Sequence, residues 1–90
     1  MFGEMELNKN LKSVNLPQRL ASGFTALTNE MTGAEYKPVL FCGTKIVKGM
    51  NYYLICVQTL ITNPVIKKLV KMTLNESPDG AFSLVSIERI

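Results

Sequence analysis

The sequence predicts an α+β fold: one amphipathic helix packed across a four-stranded antiparallel β-sheet, with room for a short N-terminal strand. Three observations predict it. One stretch, from Leu16 to Met31, carries apolar residues at helical spacing. From Tyr36 onward the chain is rich in β-branched and aromatic residues, in runs broken by turn residues. The connections between those runs are short, which makes sequential strands antiparallel neighbours. The chain has 90 residues, which makes 1–90 a single domain. A chain of this size buries roughly 60–65% of its unfolded surface, so it needs one core. An apolar fraction of 47% is enough to build that core and argues against disorder.

Residues 1–14 have no clean period: Phe2, Met5, Leu7, Leu11 and Val14 are scattered among polar residues. Residues 1–12 read as a flexible N-terminal arm that becomes ordered towards Val14. Asn15-Leu16-Pro17 reads as a helix start, with Asn15 or Ser13 capping and Pro17 in the first turn. Leu16, Leu20, Phe24, Leu27 and Met31 then form one apolar stripe. Gly23 sits beside the stripe and costs about 1 kcal/mol relative to Ala. Its presence predicts a close approach of the helix to the sheet. Thr32-Gly33 is the expected stop, with Gly33 just past the helix end.

Tyr36 to Thr44 reads as a strand in which Gly43 marks a bulge. Lys45-Ile46-Val47-Lys48-Gly49 reads as a hairpin tip. Met50 to Ile61 is apolar on both faces, which predicts a central strand. Thr62-Asn63-Pro64 is a turn. Val65 to Leu74 alternates Val70, Met72 and Leu74 against Lys71 and Thr73. Ser77-Pro78-Asp79-Gly80 fits a type I turn, and Phe82 to Ile90 closes the sheet. The tip at 45–49 and the turn at 75–80 then fall at the same end of the sheet.

Ten basic residues against seven acidic give a net charge of +3. The lysines are spread from Lys9 to Lys71 with no Arg cluster. Lys67, Lys68 and Lys71 therefore read as a solvated strand face, and no nucleic-acid partner is expected. The chain has no histidine, which removes Cys–His and Ser–His–Asp chemistry and most zinc sites. The acidic residues form no recognisable catalytic pair. The expectation is a non-enzyme with no metal and no cofactor. Cys42 and Cys56 fall on opposite sides of the tip and out of register. A disulfide needs Cα atoms about 4.4–6.8 Å apart, so both are expected as free, buried thiols, in keeping with a reducing compartment. Met1-Phe2-Gly3-Glu4 opens no apolar signal segment, and no apolar run reaches membrane-spanning length. A cytoplasmic protein with no membrane partner is expected.

The tip has unusual chemistry. Solvent-facing turns favour Asn, Asp, Gly and Ser, yet this one carries Ile46 and Val47, which need a cover. Lys45-Ile46-Val47-Lys48-Gly49 followed by Met50-Asn51-Tyr52-Tyr53 resembles the Gln-x-Val-x-Gly loop of the cystatins and the aromatic strand after it. Thr28-Asn29-Glu30, Tyr36 and the hairpin around Leu74 extend the likeness over roughly residues 16–90. The likeness is greatest to the intracellular stefins, the type 1 cystatins. Val47 and Gly49 match the loop, and Gly3 matches the family's N-terminal glycine. Lys45 stands where the family has Gln, Lys48 where small residues are common, and Leu74-Asn75 where stefins have Leu-Pro.

The resemblance implies a cystatin-like fold, a helix wrapped by a curved antiparallel sheet. It also implies reversible, tight-binding inhibition of papain-like cysteine proteases. Gly3, the loop Lys45, Ile46, Val47, Lys48 and Gly49, and the hairpin residues Leu74 and Asn75 would form one wedge in the protease cleft. Two other functions stay open: a cystatin-like protein-interaction or structural module without inhibition, and weak nucleic-acid binding through the lysines. The resemblance also implies a monomer able to exchange strands into a domain-swapped dimer, with the strained aliphatic tip at 45–49 as the hinge.

Overall fold

A computed structural model describes residues 14–90. The arm at 1–12, Gly3 and the Ser13 cap lie outside the described residues. One helix, α1 (Gln18–Asn29), precedes four strands: β1 (Ala34–Val47), β2 (Gly49–Leu60), β3 (Ile66–Glu76) and β4 (Phe82–Arg89). The strands form one antiparallel sheet in the order β1-β2-β3-β4. This is the expected α+β architecture. β2, apolar on both faces, is interior as its sequence predicts. At the edge of β1 the Val14 N–H donates to the Pro38 carbonyl at 2.9 Å.

The helix ends differ from expectation. Pro17 is the N-cap, with no side-chain capping bond, so Asn15 does not cap. The Pro17 carbonyl accepts the Ala21 N–H at 2.8 Å, and the fixed φ of proline starts the helix without a polar cap. The helix stops at Asn29, short of Gly33. The Thr28 hydroxyl bonds back to the Phe24 carbonyl at 2.9 Å, a competition with the helical ladder that weakens helices. Gly33, at φ +81°, instead turns the chain into β1.

The core forms where the stripe meets the sheet. Leu20 and Phe24 of α1 are buried with Leu54, Cys56, Val70, Met72 and Leu74. Leu16 and Leu27 pack at the margin, whereas Met31 lies beyond the helix and outside this cluster. At Gly23 the helix approaches the sheet closely: a Cβ there would stand 2.5 Å from Cγ of Phe82 in β4. The predicted close approach is therefore real, and Phe82 is the residue approached.

Strand alternation is reset by three irregularities, at Val39, at Cys42 and at Val85. The first two explain the cysteines. Unbroken alternation from Tyr36 would turn Cys42 inward; the extra residue at Val39 gives the inward position to Phe41, opposite Leu54. Cys42 is then left over between the pairs Phe41↔Leu54 and Gly43↔Tyr53 and is exposed. The expectation of two buried thiols is thus corrected: both are free, but only Cys56, opposite Pro38, is buried.

Candidate functional site

The end of the sheet that carries both hairpin turns is the candidate site. β1 and β2 pair through Lys45↔Asn51, Ile46↔Met50 and Val47↔Gly49. The tip expected as a five-residue loop is therefore paired almost to its apex, and Lys48 alone makes the turn. Gly49 permits this sharp reversal with φ +89°, a conformation that costs glycine little. Alternation puts Ile46 and Val47 on opposite faces of the ribbon. Both face solvent, with Ile46 79% and Val47 43% exposed.

Gly49 also joins the two hairpins. A Cβ on it would stand 2.1 Å from the Glu76 carbonyl oxygen and 3.0 Å from Cα of Ser77. The first tip thus lies directly against the start of the β3–β4 turn. That turn spans Ser77 to Ala81. The Gly80 N–H donates to the Ser77 carbonyl at 2.9 Å, and the Ser77 N–H donates to the Ala81 carbonyl at 2.8 Å. This is the type I turn that Ser-Pro-Asp-Gly predicts.

The second-hairpin residues singled out from the sequence lie elsewhere. Leu74 is fully buried in the core, and its side chain is unavailable to a partner. Asn75 lies within β3, where its Nδ2 donates to Oδ1 of Asn51 at 2.9 Å across the sheet. The surface that the second hairpin offers beside the tip is Pro78, Asp79, Gly80 and Ala81, all exposed. The reason is register: Glu76 pairs with Phe82, so the ladder runs past Leu74 before the chain turns.

Beneath the two turns is a polar anchor that the sequence reading missed. The Tyr52 hydroxyl donates to Oε1 of Glu76 at 2.8 Å, and the Arg19 guanidinium of α1 donates to Oε2. Glu76 is buried, while the Arg19 side chain is 74% exposed. Buried carboxylates need such partners. The Tyr52 ring lies between Phe41 (centroids 6.3 Å apart) and Phe82 (5.8 Å), so an aromatic row supports the tips. A period-2 reading of β3 carried the missing signal: Glu76 continues the inward series Val70, Met72, Leu74.

The charges at this end are unevenly spread. Lys45 and Lys48 are exposed at the tip of the first hairpin, and its one acidic residue, Glu35, lies at the far end opposite Thr59. Asp79 is on the second. The Ser77 hydroxyl, then the backbone N–H groups of Ala81 and of Asp79 itself, hold its carboxyl below the usual range. The lysines proposed for nucleic acid do not share one surface. Alternation puts Lys68 on the helix side of β3 and Lys67 and Lys71 on the other, and Lys71 Nζ lies 5.5 Å from the Tyr53 ring centroid. Among the described residues no three His, Cys, Asp or Glu side chains cluster as metal ligands. No described helix is long and apolar enough to cross a membrane.

Comparison of the chain with family models, with curated proteins and with solved structures finds no match in any of the three.

The site is therefore argued from geometry. It is an edge made of two abutting turns. One turn carries two solvent-facing aliphatic side chains, and both are braced from inside by Tyr52, Glu76 and Arg19. Such an edge can fill a cleft.

Proposed function

We propose that this protein is a reversible, tight-binding inhibitor of papain-like cysteine proteases and is not itself an enzyme. The observation that carries the proposal is the contact of Gly49 with Glu76 and Ser77, which makes two hairpin tips into one edge with Ile46 and Val47 exposed on it. This supports the cystatin-like reading of the loop sequence. Ile46, Val47, Lys48 and Gly49 are the contact residues, with Lys45 beside them and Pro78 to Ala81 as the second contact in place of Leu74 and Asn75. Gly3 is the proposed third contact. Burying Ile46 and Val47 in a protease cleft would contribute about 1.5–3 kcal/mol each. The braced turns reduce the ordering cost of binding. A cytoplasmic setting fits the exposed thiol of Cys42.

The test is a titration of papain and of a cathepsin-like protease, following substrate hydrolysis. Tight inhibition that is lost with Val47→Asp, and weakened by removing residues 1–3, is the expected outcome. Absence of inhibition at micromolar inhibitor would overturn the proposal. A protein-contact module without inhibition would then be the better reading. Leu40 and Val85, 53% and 55% exposed on the sheet, favour that reading.

A further inference from the structure

We infer that the partner cleft carries carboxylate groups on its rim, and that Lys45 and Lys48 select it. The inference rests on the inhibitory reading above and names the chemistry of the target. The two lysines flank Ile46 and Val47 in sequence, one at the apex and one opposite Asn51. Seating the aliphatic pair in a cleft therefore carries both ammonium groups to its edge. Neither has an ion-pair or hydrogen-bond partner among the described residues. The tip itself offers no carboxylate to meet them, and Glu35 of the same hairpin lies at the other end of the ladder, opposite Thr59. The nearest acidic side chains belong to the second hairpin, and both are engaged: Glu76 with Arg19 and Tyr52, Asp79 with Ser77.

An ammonium group brought to a neutral, dry rim loses hydration without compensation. Lys48 has no alternative position, because Val47 and Gly49 are paired and leave it alone at the turn. Its stem must follow the tip, and only the head can reach outward to water or to an acid. A carboxylate on the rim converts that penalty into attraction and steers the encounter. A neutral rim leaves the penalty in place.

The test uses one papain-like protease with carboxylates on its cleft rim and the same enzyme with those carboxylates changed to amides. Association rates are measured with the wild-type inhibitor and with Lys45→Met/Lys48→Met, which keeps the stems and removes the charges. Circular dichroism checks that the variant is folded. The acidic-rim enzyme should associate with the wild type about tenfold faster at low salt. The difference should shrink as ionic strength rises and the Debye length falls from about 30 Å to about 3 Å. In the double variant the difference should vanish, and the amide-rim enzyme should be inhibited more tightly than by the wild type. Equal wild-type rates for the two enzymes, or a difference that survives in the double variant, overturns the charge selection while inhibition itself stands. Failure to inhibit either enzyme overturns the inhibitory reading and this inference with it.

Discussion

The α-carbon of Gly49 lies so close to β3 that a Cβ on it would stand 2.1 Å from the Glu76 carbonyl oxygen. This backbone contact locks the first hairpin tip against the second. Gly49→Ala should fail on two counts. Alanine at φ +89° costs about 1–2 kcal/mol, and the clash is with backbone, which cannot rotate away. The expected outcome is a loss of at least that size in urea unfolding, together with weaker protease inhibition as the tips separate. Unchanged stability and unchanged inhibition would show that the tips are not coupled through this contact.

Gly23 gives a similar test inside the core. On helix propensity alone, Gly23→Ala should stabilise by about 1 kcal/mol. The Phe82 ring decides otherwise, since the new Cβ would stand 2.5 Å from it. Overpacking of this kind costs about 1–3 kcal/mol, so the net effect should be destabilising. In a Phe82→Leu background the same substitution should be less harmful, and a double-mutant cycle reads the coupling directly. A stabilising Gly23→Ala in the wild type would mean that the helix has room to move off the sheet.

These two glycines also mark what could be read from the sequence. Period and turn chemistry were enough for one helix, four antiparallel strands and a central β2, because each rests on residues close together in the chain. A close approach at Gly23 was also legible, but its partner Phe82 was not, since that contact spans most of the chain. Bulges were the main obstacle. The extra residue at Val39 carries no sequence mark, yet it turns Phe41 inward and leaves Cys42 exposed. Leu74 and Asn75 entered the expected wedge through the cystatin resemblance and not through turn chemistry, and the Glu76↔Phe82 pair extends the ladder and keeps Leu74 in the core. The exposed Ile46–Val47 tip was legible because aliphatic residues at a turn contradict the usual rule.

The Glu76 carboxylate tests how the tips are braced. Its two partners differ in exposure, so removing them should have unequal effects. Tyr52→Phe leaves a buried oxygen without its donor at 2.8 Å, at a cost of about 1–3 kcal/mol. Arg19→Met removes a guanidinium whose side chain is 74% exposed although the carboxylate it meets is buried, and solvent around the guanidinium screens the pair, so its loss should cost less than that of the tyrosine. Denaturant midpoints should therefore fall in the order wild type, Arg19→Met, Tyr52→Phe. The reverse order would make the ion pair, not the tyrosine, the main support.

The two thiols should separate cleanly by chemistry. Burial, and secondarily the charge of a Cys42 thiolate, pushes the Cys56 thiol up from 9.0 to about 12. A thiol reagent at mildly alkaline pH should modify Cys42 in the native protein and reach Cys56 only after unfolding. The same shift makes stability depend on pH. Below about 9 both folded and unfolded chains keep the Cys56 proton, and its contribution is complete. Between about 9 and about 12 the unfolded chain loses the proton while the folded chain retains it. The unfolded state then binds fewer protons, and stability falls as pH rises. The useful quantity is the difference between wild type and Cys56→Ala. The alanine variant should be less stable at neutral pH because of the cavity, and its stability should fall less steeply with pH over this window. Parallel curves for the two proteins would mean that the Cys56 thiol titrates alike in the folded and unfolded chains, and would argue against its burial in the core with Leu20 and Phe24.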